Sequence, residues 1–256
     1  MNDPLFSWTA PEWEHSLVTL PPAHPEATVE LHGSVLSALG TAVVSGALAA
    51  GTVLTLEGLC SEYAVSRSVA REAVRVLESM GMLASRRRVG VTVLPRSSWN
   101  VFDPRVIRWR LDSTDRVDQL LSLSELRRGV EPVAAALAAL RATPEQCRSM
   151  AVAVSDMEVH GRSGDLGPYL LADQAFHRTL LEASGNEMLA SLGEVVAEVL
   201  GGRTHHGMMP NRPNPEAVAL HDEVARAVRL GDAAGAERAM RSIIDEASAA
   251  MSELRS

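Results

Sequence analysis

From Val29 to Leu48 the apolar residues fall at positions 31, 35, 36, 39, 43 and 44, a helical spacing that Gly51 brings to a stop. Thr55 opens a short helix through Tyr63. Ser66 is a natural N-cap for the next helix, whose Val69, Val74, Leu77 and Met80 share one face and which Gly81 closes. In MLASRRRVGVTVLP the pattern changes: β-branched residues at 89, 91, 92 and 93 surround Gly90 and end at Pro95, which predicts a two-stranded hairpin with an arginine-rich tip. Residues 97–112 read as a junction. Beyond it, helical stretches near 115–141, 144–161, 167–184, 187–201, 214–230 and 232–254 alternate with Gly, Pro and Asn breaks. Thr143-Pro144-Glu145 and Asn214-Pro215-Glu216 each put a capping residue before a proline at the first helical position. None of these runs reads as a strand, so they predict an antiparallel bundle. Residues 1–28 carry five prolines and no apolar periodicity and read as a mobile arm. Trp8 and Trp13 within it either dock on the body or a partner, or are simply exposed. The chain is therefore expected to be mainly α: an arm (1–28), a winged helix-turn-helix domain (29–96), a junction (97–112) and an all-α helical domain (113–256).

Charge sharpens this picture. The net charge of −8 by itself argues against nucleic acid. Its distribution argues for it, since residues 66–96 hold seven arginines against Glu72 and Glu78. Arg67, Arg71 and Arg75 are spaced i, i+4, i+8 and project from nearly one face of the third helix, with Ser66 and Ser68 at its leading end. A helix entering the major groove of double-stranded DNA needs such donors for phosphates and base edges. Arg86, Arg87 and Arg88, with Gly90 beside them in the hairpin, can reach the narrower groove or the backbone. The plain alternative is an α+β lobe with solvated arginines.

Composition excludes much else. Every one of the 24 basic residues is an arginine, so P-loop and Schiff-base lysines are absent. Cys60 and Cys147 form no CxxC pair, which speaks against a disulfide framework or a cysteine-ligated zinc site. The acidic, proline-broken N-terminus does not read as a signal peptide, and no apolar run approaches the ~20 residues of a membrane helix. A soluble, cytoplasmic protein is expected.

The segment VLTLEGLCSEYAVSRSVAREAVRVLESMGML resembles the head of the GntR family of transcription regulators, in its FadR-like branch. LSELRRGVEP, DQAFHRTLLEASGN and HDEVARAVRLGDAAGAERAM match that branch's effector domain. The run RVGVTVLPRSSWNVFDPRVIRWRL is most similar to branch members that answer to sugar acids. The resemblance implies a homodimeric repressor that binds palindromic operator DNA and is released by a small carboxylate such as an aldonate. It also departs from the family twice. Glu57 stands where many relatives carry a DNA-contacting arginine. Of the branch's usual aspartate and three histidines for a divalent metal such as zinc, Asp173, His177 and His221 match, while Ile243 occupies the fourth place.

Asp173 and His177 lie one helical turn apart, and His221 can converge on them across the bundle. They either ligate a metal or hydrogen-bond the effector's hydroxyls directly. His205 and His206 could supply a further ligand or be a solvated pair. Arg127 matches a family position suited to a carboxylate, and it could equally pair internally with Glu131 at i+4. Arg203 is a second cation candidate. Asn186 reads as a turn residue. Trp99 and Trp109 are large enough to wedge the junction against the bundle. Three alternatives remain: an acyl-CoA or other organic-acid effector, a purely architectural DNA binder, and a metal-dependent hydrolase or lyase built on Asp173, His177 and His221.

Overall fold

The structure, a computed structural model, describes residues 26–210 and 212–253. Trp8, Trp13 and the rest of the expected arm up to residue 25 lie outside the described residues. The first helix, α1 (Glu26–Val44), begins inside the stretch assigned to that arm, because Glu26, Ala27 and Thr28 are polar or small yet fully compatible with a helix start. A two-residue strand β1 (Val53–Leu54) follows, then α2 (Leu56–Glu62) and α3 (Arg67–Ser79). Thr55 and Ser66 cap these two helices by accepting from Gly58 N and Val69 N. Strands β2 (Leu83–Arg86) and β3 (Gly90–Val93) form the expected hairpin.

The sheet is three-stranded rather than two-stranded. β1 pairs antiparallel with the outer side of β3, Val53 opposite Thr92 and Leu54 opposite Val91, giving the order β1-β3-β2. A two-residue strand is too short to show alternation, so periodicity could not reveal it. Gly90 is shaped by this pairing: its φ is +118°, and a Cβ there would lie 2.6 Å from the Leu54 carbonyl oxygen. Val35, Leu39 and Val43 of α1 close over Val74 and Leu77 of α3 and Leu83, Val91 and Val93 of the sheet. Full burial of a leucine such as Leu39 or Leu77 stabilises this small core by about 1.5–3 kcal/mol.

The junction contains a helix, α4 (Pro104–Leu111), capped by Asp103 and started by Pro104. The tryptophans around it do not wedge against the bundle as expected; both pack on the head. Trp109 donates from Nε1 to Ser37 Oγ at 3.2 Å and lies flat on Gly40 of α1, where a Cβ would come within 2.5 Å of its ring. Trp99 donates to the Leu94 carbonyl at 3.2 Å. The reason is helical phase. Val106 and Trp109 share one face of α4 and join the head core, while Ile107 and Leu111 occupy the other face and join a bundle cluster with Leu120, Leu123, Val195 and Val199.

The bundle comprises α5 (Arg116–Arg141), α6 (Pro144–Ser163), α7 (Leu166–Ala183), α8 (Glu187–Ala190), α9 (Gly193–His205), α10 (Pro215–Leu230) and α11 (Ala233–Glu253). The stretch read as one helix over 187–201 is thus two. Asn186 caps α8, accepting from Met188 N and Leu189 N, and the break at Ser191-Leu192 redirects the chain into α9. Ala135, Ala138 and Ala139 on α5 face Ala236, Ala239 and Met240 on α11 in a common core. Such small residues let two long helices approach closely. α9 touches α4 directly: Arg108 Nε donates to Glu198 at 3.1 Å, and Leu111 rests on Gly202, where a Cβ would lie 2.6 Å away. Among the described residues, no helix is long and apolar enough to cross a membrane.

Candidate functional site

The first group of candidates lies on α3 and the hairpin. Arg67, Arg71, Arg75, Arg86, Arg87 and Arg88 are all exposed. They are not equally free. Arg67 pairs with Glu57 of α2 at 3.1 Å, and Arg75 pairs with Glu72 at 3.5 Å. Arg71, between them, makes no ion pair with any described residue, and neither do the three hairpin arginines. Ser66 is committed to capping α3, and its Oγ lies 2.9 Å from Ser68 Oγ. The hairpin is tied to α3 through Glu78, whose carboxylate accepts from Ser85 N. Arg88 adopts a left-handed φ of +66° at the hairpin tip, directing the turn between Arg86 and Gly90.

The second group converges inside the bundle. Asp173 and His177 of α7 and His221 of α10 are buried. Asp173 Oδ1 lies 3.3 Å from Nε2 of both histidines, and the two Nε2 atoms are 3.4 Å apart. Donor atoms bound to one ion at about 2.0–2.1 Å in tetrahedral array lie about 3.3–3.4 Å from one another. The outer nitrogens are held as metal-binding imidazoles require: His177 Nδ1 on the Glu131 carboxylate and His221 Nδ1 donating to the Ala217 carbonyl at 2.6 Å. Asp173 Oδ1 is buried without a hydrogen bond. The three residues therefore fit a divalent ion. Ile243 does line this cavity, but it contributes no donor atom there.

Arg127 makes the internal pair with Glu131 that stood beside its carboxylate reading. It pairs with Glu131 in full burial, and it also lines the cavity, its Nη2 3.4 Å from His177 Nε2. The electrostatics are strongly coupled. Burial pushes the Glu131 carboxyl up, but Arg127 and His177 outweigh it and hold the pKa at about 2. Burial likewise opposes the charge on His177, and Glu131 and Asp173 overcome it to raise the imidazole pKa. Asp173 is held far below the ordinary aspartate range because the two histidines more than offset its desolvation.

Arg203 of α9 is different. Its pKa is lowered by burial and by the like charge of Arg127, no carboxylate of a described residue lies within ion-pair distance, and its buried Nε has no partner. It faces a cavity of about 140 Å³ that also exposes Tyr169, Asp173 and His221. Leu200, Met208, Met209, Pro210 and Pro213 contribute apolar lining to the cavity. His205 is exposed and outside it, while His206 contacts Asp112 at 3.2 Å, so neither completes the donor set. Sequence reading missed Tyr169 and Glu246 as cavity residues and treated Glu131 only as a partner for Arg127. A helical signal existed: Tyr169 lies one turn before Asp173, and Glu246 one turn after Ile243.

Comparison with known proteins agrees with this two-part layout. Residues 31–93 match the family model described as bacterial regulatory proteins, gntR family, and residues 122–246 match the FCD domain. The galactonate operon transcriptional repressor of Escherichia coli strain K12 is 28% identical over 222 residues, 86% of this chain and 96% of that protein. A putative L-lactate dehydrogenase operon regulatory protein of the same strain is 30% identical over 202 residues, 75% of each chain. Among solved structures, Lar, which controls the expression of the Listeria monocytogenes agr system, aligns over 91% of this chain and 100% of its own with a TM-score of 0.56 at 18% identity.

Proposed function

The chain belongs to the GntR family of bacterial transcription regulators, its DNA-binding head followed by an FCD effector domain, and from that premise we propose a repressor released from its operator by a small hydroxylated carboxylate. The relatives that share this layout are regulators, and the hydrolase or lyase reading is set aside on that ground. The observation that carries the effector reading is Arg203. A guanidinium with a buried, unpartnered Nε beside a cavity calls for an anion, and a planar carboxylate matches its fork. The cavity volume is close to the roughly 150 Å³ that houses a benzene-sized ligand in a protein core. A short hydroxy acid fits that space. A six-carbon aldonate, the class suggested by similarity to the galactonate repressor, needs more room than that volume offers. An acyl-CoA is far too large.

In this reading Arg203 receives the carboxylate, with Arg127 adding positive potential from its place on Glu131. Asp173, His177 and His221 would hold a divalent ion such as zinc, which supplies a Lewis-acidic centre for ligand oxygens. Two copies of the chain, related by a two-fold axis, would set their heads on the half-sites of a palindrome, with Arg71 and the hairpin arginines on the duplex. The effector shifts the balance only by binding the off-DNA arrangement more tightly. α9 supports the coupling, because Arg203 adjoins Gly202, on which Leu111 of α4 rests, and α4 carries Trp109 into the head core.

Footprinting on the DNA upstream of its own gene, followed by addition of glycerate, lactate or gluconate with and without chelator, tests the proposal. Protection that one of these acids removes is expected, and His177→Ala should keep the protection while losing the response. A chain that prefers no stretch of that DNA over random duplex at any ionic strength would overturn the repressor reading. At the head, Glu57→Gln should free Arg67 and raise operator affinity about two- to fivefold at low salt, the scale of an exposed ion pair. Fluorescence anisotropy measures it, and unchanged affinity would mean that Arg67 does not reach the DNA.

A further inference from the structure

Arg203 and the histidine cluster account for how an acid is held in the cavity, but one charged group there has no task. Glu246, on α11, is half-buried and lines the same cavity. Its carboxylate makes no hydrogen bond and no ion pair with any described residue. Tyr169 lines the same cavity, and its phenol likewise makes no hydrogen bond with a described residue, although Tyr169 is almost wholly buried. Both line the cavity beside Arg203, where Glu246 adds to burial and Asp173 in raising the pKa of the Tyr169 phenol and supports the charge on Arg203. A carboxylate facing a cavity that a ligand will fill must receive a donor from that ligand or lose its water uncompensated.

We propose that Glu246 is a specificity-determining residue that accepts a hydrogen bond from an effector hydroxyl while Arg203 holds the effector's carboxylate. This deepens the reading above and rests on it. The two side chains set opposite demands. Arg203 requires an anion, and Glu246 repels a second one while accepting from any O–H placed before it. A simple fatty acid of the same length satisfies the first and strands Glu246 against methylene groups. A dicarboxylate satisfies the first and sets two anions face to face. Only a hydroxylated monocarboxylate meets both. Tyr169 can give its proton to the same hydroxyl oxygen or accept from a second one, so the pair reads an O–H by donor and acceptor together.

Titration calorimetry on the full chain tests this with two matched sets: glycerate, propionate and malonate, and gluconate, hexanoate and adipate. Expected in the wild-type chain is a preference for the hydroxylated member of at least one set by about ten- to a hundredfold over both of its partners, the range of a hydrogen bond to a charged group. Glu246→Leu should bring the bare acid to within a few-fold of the hydroxy acid. Glu246→Gln, which keeps an acceptor and removes the charge, should retain the hydroxyl preference and admit the dicarboxylate. A melting curve without ligand reports whether each variant folds, and if the leucine variant does not, the glutamine variant alone decides through malonate and adipate. Unchanged ratios in the variants, or no discrimination by the wild type, overturn the role of Glu246 while leaving a carboxylate effector standing. If the wild type binds neither hydroxy acid, the carboxylate reading falls and takes this role with it.

Discussion

Glu131→Ala is expected to cost the helical domain about 3–5 kcal/mol, the usual penalty for stripping the partner from a buried ion. Glu131 is fully buried, and its carboxylate holds both Arg127, which is 2% exposed, and His177, which is 1% exposed. Without it Arg127 has no carboxylate within ion-pair distance among the described residues, and it cannot neutralise itself by giving up a proton at ordinary pH. Denaturant melting followed through the helical signal measures the loss; a change under about 1 kcal/mol would show that solvent reaches the pair. A double variant, Arg127→Met with Glu131→Leu, should recover most of the stability, since removing both charges leaves neither unpaired. Acidity supplies an independent check. The folded carboxyl lies near pKa 2, below its unfolded value, so its contribution is complete above about pH 4.5 and is lost as pH falls towards 2. The gap between wild type and Glu131→Ala should therefore narrow over that interval.

Arg71→Ala is expected to weaken operator binding by about five- to a hundredfold, corresponding to the roughly 1–3 kcal/mol of a charge-assisted contact to a base edge or phosphate. The same truncation at Arg67 or Arg75 should cost less, because those two arginines are already balanced by Glu57 and Glu72. Salt dependence separates the two kinds of contact. If Arg71 meets a phosphate, the slope of log affinity against log salt becomes shallower by about one; if it reads a base, the slope is kept and discrimination at one operator position relaxes. Affinity unchanged at moderate salt would remove Arg71 from the interface. Circular dichroism checks that the fold is kept, as the exposure of this side chain leads one to expect.

Much of the molecule was readable before any coordinates. The helices of the head, the cap at Ser66, the hairpin and the bundle follow from local rules: apolar period, capping chemistry and turn residues within a few positions of one another. The contacts of Asp173 and His177 were equally local, being one turn apart. What was misread shares another character. β1 is too short to carry a period, yet it pairs with β3 through backbone groups that any residue possesses. Trp109 is large and apolar, which identifies it as buried but not against what; the phase of α4 relative to two neighbours sends it to the head and Leu111 to the bundle.

The cavity shows the same division more sharply. Sequence alone determined which residues could hold a charge or an ion and which helical face each would occupy, because those properties belong to the residue and its neighbours along the chain. Only tertiary structure decided that Glu131 would be taken by Arg127 and His177 together, that Arg203 would have no carboxylate within ion-pair distance among the described residues, and that Glu246 and Tyr169 would line one cavity. Charge balance in a buried site is a sum over helices that lie far apart in sequence, and no local pattern encodes it.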